Sequence, residues 1–572
     1  MAASDPKFSK PEMDHSKRKN QEETSKEKLE SKSFLQVFRQ ITRDTVYVVA
    51  SVASFQAETT LQRLVTLAIG TGISMLVLAA TLWHPNKAVR YRTFWGLILG
   101  LHAFLAGRVW FVTFVPTWWD KESNTVVIAA GAVAALGYVL EVLGSHKILV
   151  AEPQTAGRKA NGEPVCWLIK NKNHKNVRRC SSVVLLSLFS GTVVGTKYKR
   201  PILSAVVAFG CMITLLVNTN PYIAFAAGCC LAHLTMCLWP VAIEVATQSN
   251  PGLCLAVAAV TYIAQVLFWV WTVAYNFVPY GEYTREHTDW LVFAVMGCIL
   301  LMTACYSKLE FSFTVLATKN DSSSVPKFSH YMKVLLLIVL VGQAGMVKRV
   351  AKYQPAPRPK TDLKMFTAGV WTFHFGYDNK GWPSMERAAQ MINDTGVDVL
   401  TLLESDASKA FLGNNDLATW LGEKLNFHID FGPSTKDHTW GNLILSKYPI
   451  VKSIHHLLPS PEGELAPAIT ASVNISGTIV DFVVTHMGND RDVLDRRLQA
   501  QFLAKELKNS LNPAVFLGYV TSAPGSENYK HLLSEGGLKD IDPSDKARWC
   551  EYIMYKKLIR YLRVQNEPNL FS

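Results

Sequence analysis

The chain has 572 residues, of which 49% are hydrophobic and 18% charged, with a formal net charge of +13. Soluble chains average about 25% charged residues, and residues 201–300 carry only five Asp, Glu, Lys or Arg where residues 401–500 carry twenty. An oily front and a water-soluble back are implied, and collagen-like, wholly disordered and disulfide-scaffold classes are excluded. Residues 1–32 hold eight Lys/Arg and seven Asp/Glu with little apolar content, so 1–44 reads as a charged disordered tail. No signal peptide opens the chain, because no apolar core and cleavage site follow the basic stretch.

Crossing a bilayer takes about 20 apolar residues. Candidate spans fall at about 64–83, 94–114, 125–143, 201–217, 222–247, 252–279 and 290–306, with weaker ones at 181–196 and 333–347. The reading is a multi-pass domain over 45–347 with seven to nine spans. The positive charge lies in the loops between apolar runs, as in polytopic membrane proteins, so nucleic acid is not an expected partner. Nine of the ten cysteines lie at or before Cys305, and no CxxC pair points to zinc or redox chemistry. Arg108, Glu141 and Glu244 lie near span ends, where snorkelling is expected, and His233 is expected to hydrogen-bond a neighbouring helix.

Loops 84–93, 144–180 and 307–332 hold three, eight and three Lys/Arg, which places all three in the cytosol. Five crossings between 180 and 307 would put the last two on opposite sides. Leaving out 181–196, with its Gly and Thr content, restores agreement and delivers the C-terminal part to the lumen, although Lys348, Arg349 and Lys352 argue against it. The sequons at Asn393 and Asn474 then become possible glycosylation sites, while Asn320 stays unmodified.

Pro355, Pro357 and Pro359 mark a stiff linker over 348–363. From 364 to 560, β-like and helical runs alternate. Strands are read at 366–375, 397–404, 440–446, 468–476, 478–486 and 513–520, and helices at 384–393, 414–425 and 493–509. This pattern implies an α/β or α+β domain with a layered sheet core. Glu404 closes one apolar strand, where a carboxylate suits a hard cation. His486 closes another, where an imidazole can hold a phosphate oxygen or move a proton. Trp371, Trp382, Trp420 and Trp440 are either interfacial anchors or core residues.

Thr372–Gly376, Leu402–Asp406, Gly441–Ile450 and Thr485–His486 stand in the order of the endonuclease/exonuclease/phosphatase fold, which this segment resembles. That resemblance implies a two-sheet α/β sandwich with its site at the strand ends. It also implies a divalent cation such as Mg on Glu404, headgroup or phosphate binding by His486 and Asn442, and Glu404 and His486 as catalytic residues. The departures are specific. His374 stands where the pattern has Asn, Gly518-Tyr519-Val520-Thr521 where it has G-D-x-N, and Glu551 near an expected Asp; no S-D-H segment precedes Ser572. Poor hydrolysis, or binding without catalysis, is therefore expected.

Longer runs, among them GYDNKGWPSMERAAQMINDTG, DFGPSTKDHTWG, FLGYVTSAPGS and ARWCEYIMY, resemble the cell wall biogenesis 43 C-terminal homologue family. GYVTS is then that family's own form of the site. The resemblance implies lipid remodelling of glycosylphosphatidylinositol (GPI) anchors in the endoplasmic reticulum or Golgi. Membrane lipids, GPI-anchored proteins and other remodelling proteins are the implied partners. A non-catalytic partner of a remodelling complex and a lumenal headgroup phosphodiesterase stay open. Both ends depart from the family, residues 561–572 as a divergent tail, so the domain reads as truncated.

Overall fold

The structure, a computed structural model, describes residues 54–112, 122–126, 128–129, 177–197, 200–308 without 219 and 274, 328–352, 365–379, 384–406, 416–433 and 440–559. The expected span 125–143, Glu141, Asn320 and the divergent tail lie outside these residues or almost wholly so. The chain divides into two compact units, residues 1–80 with 120–168, and residues 81–119 with 169–572. In the first, a single 3-10 turn at Ser54–Gln56 precedes helix α1 (Thr60–Leu82). Gln56 Nε2 donates to Asn124 Oδ1 at 2.7 Å.

The second unit contains helices α2 (Lys87–Trp110), α3 (Val177–Lys197), α4 (Pro201–Val217), α5 (Pro221–Gln248), α6 (Pro251–Val273), α7 (Thr288–Lys308) and α8 (Phe328–Lys352). Among the described residues six helices are long and apolar enough to cross a membrane: α1, α2, α5, α6, α7 and α8. The protein is a multi-pass membrane protein. Leucines and isoleucines such as Leu253, Ile263, Leu301 and Leu337 are more than half exposed, which suits a lipid solvent and no other. The expected span 252–279 is shorter in the structure. After Val273 the chain leaves the helix for 3-10 turns at Tyr275–Phe277 and Gly281–Tyr283. Pro279 forbids a helical hydrogen bond there.

The bundle has two distinguishable ends. At one, Trp95 of α2 stacks on Tyr331 of α8, with ring centroids 5.3 Å apart. At the other, Trp110 Nε1 donates to Val341 O and Arg349 to Val109 O, so α2 and α8 run parallel. Helix α3 runs against them. Its first turns meet Gln343, which donates to Ser182 O, and Leu188 joins the Trp95 cluster. The segment left out of the crossing count is thus a full member of the bundle, and its start lies at the Trp110 end. The glycines that weakened its apolar signal are what seat it. A Cβ at Gly191 would lie 2.0 Å from His233 O, and one at Gly195 2.7 Å from Cys237 Cα. Close helix approach of this kind depends on small residues. The start of α3 at Val177, which follows the basic run 144–180, therefore lies at the opposite end of the bundle from the start of α2, contrary to the expected grouping of 84–93 with 144–180. His233 Nδ1 lies 2.8 Å from Ser190 Oγ of α3, the inter-helix bond expected of it. Glu244 is buried at 2% exposure rather than snorkelling.

The C-terminal domain is a two-sheet α/β sandwich. One sheet has the order β1 (Ala368–Thr372), β2 (Val399–Asp406), β4 (Trp440–Ser446), β3 (His428–Pro433). The other has the order β5 (Ile450–Leu457), β6 (Pro467–Ile475), β7 (Thr478–His486), β8 (Ala514–Tyr519), β10 (Glu551–Lys556), β9 (Lys539–Asp540). Val399, Leu403, Ile444, Ile469, Phe482, Val484, Val515 and Leu517 fill the space between the sheets. Helices α9 (Met385–Thr395) and α10 (Leu417–Leu425) cover the first sheet, and α11 (Val493–Asn509) covers the second. Strands β7 and β8 are buried on both faces, so they read as continuous apolar runs. Trp420 is a core residue at 5% exposure and Trp371 packs edge-on against Phe373.

Candidate functional site

Parallel pairing decides where the polar residues meet. β1 pairs parallel with β2, and β7 with β8, so Thr372, Glu404, His486 and Tyr519 leave their strands at one rim. β10 runs antiparallel to β8 and starts there, which sets Glu551 opposite Tyr519. The rim backbone is strained. His374, Phe375, Glu404 and Thr521 have φ of 45°, 56°, 54° and 50°, the left-handed region that non-glycine residues rarely occupy. At Glu404 this coincides with a bulge, since the β2–β4 register shifts between Leu402 and Ser405. A bulge re-aims a side chain, and here it turns the carboxylate toward two imidazoles.

His486 Nε2 lies 3.5 Å from Glu404 Oε1, and His374 Nε2 3.9 Å from Glu404 Oε2. His486 is oriented from behind, its Nδ1 donating to Met487 O at 3.0 Å, so the ring presents Nε2 to the rim. Its centroid is 4.8 Å from that of Tyr519. The Thr372 hydroxyl lies 2.5 Å from the Tyr519 hydroxyl and 2.6 Å from Glu551 Oε1. A carboxylate only accepts, so Thr372 gives its one proton to Glu551 and takes one from Tyr519. Burial raises the Tyr519 phenol well above its ordinary value, as do Cys550, Glu551 and Glu404, against the Thr372 hydrogen bond. Burial, with Glu551 beside it, pushes the Cys550 thiol up to about 12. The residue at the expected Asp position is thus a neutral donor and not a base.

Asn442 lies beneath the rim with no exposed surface. Its Nδ2 donates to Pro467 O at 3.3 Å, and its buried Oδ1 has no partner among the described residues. Pro467 O also accepts from Thr485 Oγ1, so Asn442 ties β4 to β6. Asn393 is exposed at the end of α9, and Asn474 is half-buried with its Oδ1 accepting from Gly477 N.

Among the described residues no group of three or more His, Cys, Asp and Glu side chains is arranged to hold a metal ion. Mg needs near-octahedral oxygen ligands. Glu404 offers one carboxylate with an imidazole against each oxygen, and Glu551 faces Thr372. The set does not fit a hard cation. It brings instead the Nε2 atoms of two imidazoles to the two oxygens of one carboxylate at the rim.

Glu404 and His486 were legible in the sequence and are brought together. Tyr519 and Glu551 appeared there only as departures from a pattern and Thr372 only as the start of a matching segment, and their contact with one another gave no sequence signal.

Three successive models of one family match the chain: "PGAP2IP, first transmembrane domain" over residues 28–143, "PGAP2IP, second transmembrane domain" over 171–311, and "PGAP2IP, C-terminal nuclease-like domain" over 363–568. The chain belongs to the PGAP2IP family. It is 38% identical over 331 residues to the protein cwh43 of Schizosaccharomyces pombe, a match covering 56% of this chain and 34% of that one. The chain thus spans about a third of the length of the curated relative it matches. Among solved structures it is similar to an endonuclease/exonuclease/phosphatase from Beutenbergia cavernae, at 20% identity and TM-score 0.27, covering 33% of this chain and 63% of that one. It is also similar to a sphingomyelinase C from Streptomyces griseocarneus, at 19% identity and TM-score 0.27, covering 34% and 84%.

Proposed function

We propose that this PGAP2IP-family chain takes part in remodelling the lipid of GPI anchors, with the Glu404–His486–His374 rim holding the anchor's phosphate. The observation that carries this reading is the joining of a rim that gathers two imidazoles to the end of a multi-pass bundle. Tyr275 Oη donates to Gly463 O at 2.6 Å, and Arg285 donates to Ser460 O at 2.5 Å and Pro461 O at 3.2 Å. On another side, Arg349 at the end of α8 makes a two-pronged pair with Glu423 of α10, at 2.6 and 3.1 Å. The domain is therefore fixed beside the bundle end rather than tethered at a distance. A GPI lipid requires that arrangement, with its chains in the bilayer and its phosphoinositol glycan outside it. We place the domain in the lumen of the endoplasmic reticulum or Golgi. The sequons at Asn393, which is exposed, and Asn474 support that side; loop charge does not decide it, because the three Lys/Arg of 84–93 lie at the bundle end opposite the domain while α3, which follows the eight of 144–180, starts at the domain's end.

In this reading His374 donates its Nε2–H to a phosphate oxygen, His486 does so in its imidazolium form because its Nδ1–H is held by Met487 O, and Glu404 flanks both rings. Tyr519 adds a neutral donor. Phosphodiester hydrolysis is disfavoured because the base position carries a phenol that burial keeps protonated. That same feature favours the second reading, in which the chain binds the anchor while a partner protein of the remodelling complex performs the exchange.

The test is anchor-lipid composition by mass spectrometry in cells lacking the endogenous protein. Wild type should restore the remodelled lipid and Glu404→Ala/His486→Ala should not. Full restoration by the double variant overturns the rim assignment. Robust sphingomyelin or phosphoinositide cleavage by the purified full chain would overturn the non-hydrolytic reading. An endoglycosidase-sensitive shift lost in Asn393→Gln would support the lumenal side.

A further inference from the structure

A second cavity lies beside the rim, beyond Thr521. It has a volume of about 470 Å³ and is bounded by the start of α11, the loop after β8 and the residue before Cys550, a size suited to a small molecule. Arg496 builds it. This side chain is buried at 8% exposure; it donates to Thr521 O, to Ser522 Oγ at 2.9 Å and to Asp490 O at 2.6 Å. It thereby draws the 490 loop and the 521–522 loop into one wall, and its Nη atoms are spent on that task. What remains for a ligand is Arg497, Asp490, Glu527, Asn528, Ser522 and, at the mouth, Trp549 at 58% exposure.

The chemistry of that set is specific. The formal charges of Arg496 and Arg497 are cancelled by Asp490 and Glu527, so the lining has no net attraction for a phosphate. Ser522 Oγ already accepts from Arg496 and from Asn528 Nδ2 at 3.0 Å, which leaves its own O–H to donate. The second Asn528 N–H and its Oδ1 are a donor and an acceptor side by side. Carboxylates, an amide and hydroxyls in alternation match the adjacent hydroxyls of a polyol, each of which both gives and takes a hydrogen bond. An exposed indole offers a flat apolar surface to the C–H face of a sugar ring. The cavity also lies near the bundle. Arg491, next to Asp490, donates to Asn276 O at 2.6 Å in the segment joining α6 and α7, and Asn276 lies 3.4 Å from Asp492 Oδ2.

We infer that this cavity is a carbohydrate-binding site, taking a neutral hexose or cyclitol beside the phosphate held at the rim. The inference rests on the proposed function only for the identity of the larger ligand; the polyol chemistry stands by itself. Saturation-transfer NMR on the full chain in nanodiscs, with methyl α-mannoside and myo-inositol as probes, tests it. Wild type should transfer magnetisation to at least one probe. Trp549→Ala and Arg497→Gln, both at exposed positions, should weaken that binding by about tenfold, near 1.4 kcal/mol, with the melting temperature unchanged. No transfer to either probe in wild type, or equal transfer in both variants, overturns the proposal. In parallel, inorganic phosphate is titrated by phosphorus NMR against wild type and Glu404→Ala/His486→Ala. If sugar binding persists while phosphate never binds, the rim reading fails and the cavity stands. The reverse pattern rejects the cavity alone.

Discussion

The membrane bundle and the C-terminal sandwich hold themselves together by different means. In the bundle, side chains facing outward are as apolar as those facing inward, so burial of apolar surface does not decide which helices meet. Contact is decided by missing side chains, as at Gly191 and Gly195 against the α5 backbone, and Gly342 under Leu185. In the sandwich the same choice is made by large side chains leaving water, Phe482 and Phe516 being fully buried. Adding atoms should therefore break the bundle, and removing atoms should break the sandwich.

The largest effect is expected at Gly191→Val. The new Cβ meets main chain, which cannot give way, so the cost should reach or exceed the ~3 kcal/mol upper range of ordinary overpacking. Loss of monodisperse full-length protein on size exclusion in detergent would show it, and a normal profile would contradict the packing argument. Phe516→Ala should cost ~3–5 kcal/mol, read as a lower melting temperature of the sandwich with the bundle's helical signal retained. Loss of both signals together would mean the two regions unfold as one.

Where the regions join, electrostatics replaces packing. Arg349 and Glu423 are only 10% and 15% exposed, so Arg349→Ala leaves a carboxylate without its guanidinium and should cost ~2 kcal/mol. Faster proteolysis within residues 353–364 at unchanged core stability is the expected readout. No change in cleavage would show that the Tyr275 and Arg285 contacts suffice.

The smallest effect concerns pH. The hydrogen bond that His455 donates to the Asp430 carboxylate raises His455 above the ordinary imidazole value of 6.5. Burial pushes Asp430 up, but hydrogen bonds from His455 and Ser453 outweigh it and hold the carboxyl below its ordinary 3.8. A raised base contributes stability that is complete below 6.5 and is lost as pH rises through the raised value. A lowered acid contributes stability that is present above 3.8 and is lost as pH falls. The pair should stabilise the sandwich most between these two pH values. His455 is 43% exposed, so solvent screening keeps the effect small. Thermal melts of Asp430→Asn should show a flatter pH profile than wild type, and an unaltered profile would reject the pairing.

Much of this was legible in sequence because it depends on local composition. Apolar runs of sufficient length read as helices, and the alternation after residue 364 read as strands at 440–446 and 478–486, where the structure has them. Strands β3, β5, β9 and β10 escaped notice. β5 carries Lys452, Ser453, His455 and His456 with most of its residues exposed, so an edge strand of this kind has little apolar pattern to detect. Helix α3 was discounted because its glycines lower the apolar count, whereas in three dimensions those glycines are its contact surface.

The sequence by itself determined the two regimes, the fold class of each, and Glu404 and His486 as strand-end polar residues, because hydrophobic period and strand-terminal position are properties of a few consecutive residues. Only the tertiary structure decided which strand ends share a rim, that Tyr519 stands there as a protonated phenol between Thr372 and His486, and that Arg496 closes a cavity beside it. Those facts depend on parallel pairing, on the bulge at Glu404 and on burial, each produced by residues from about 30 to 180 positions apart that become neighbours only when the sheets form.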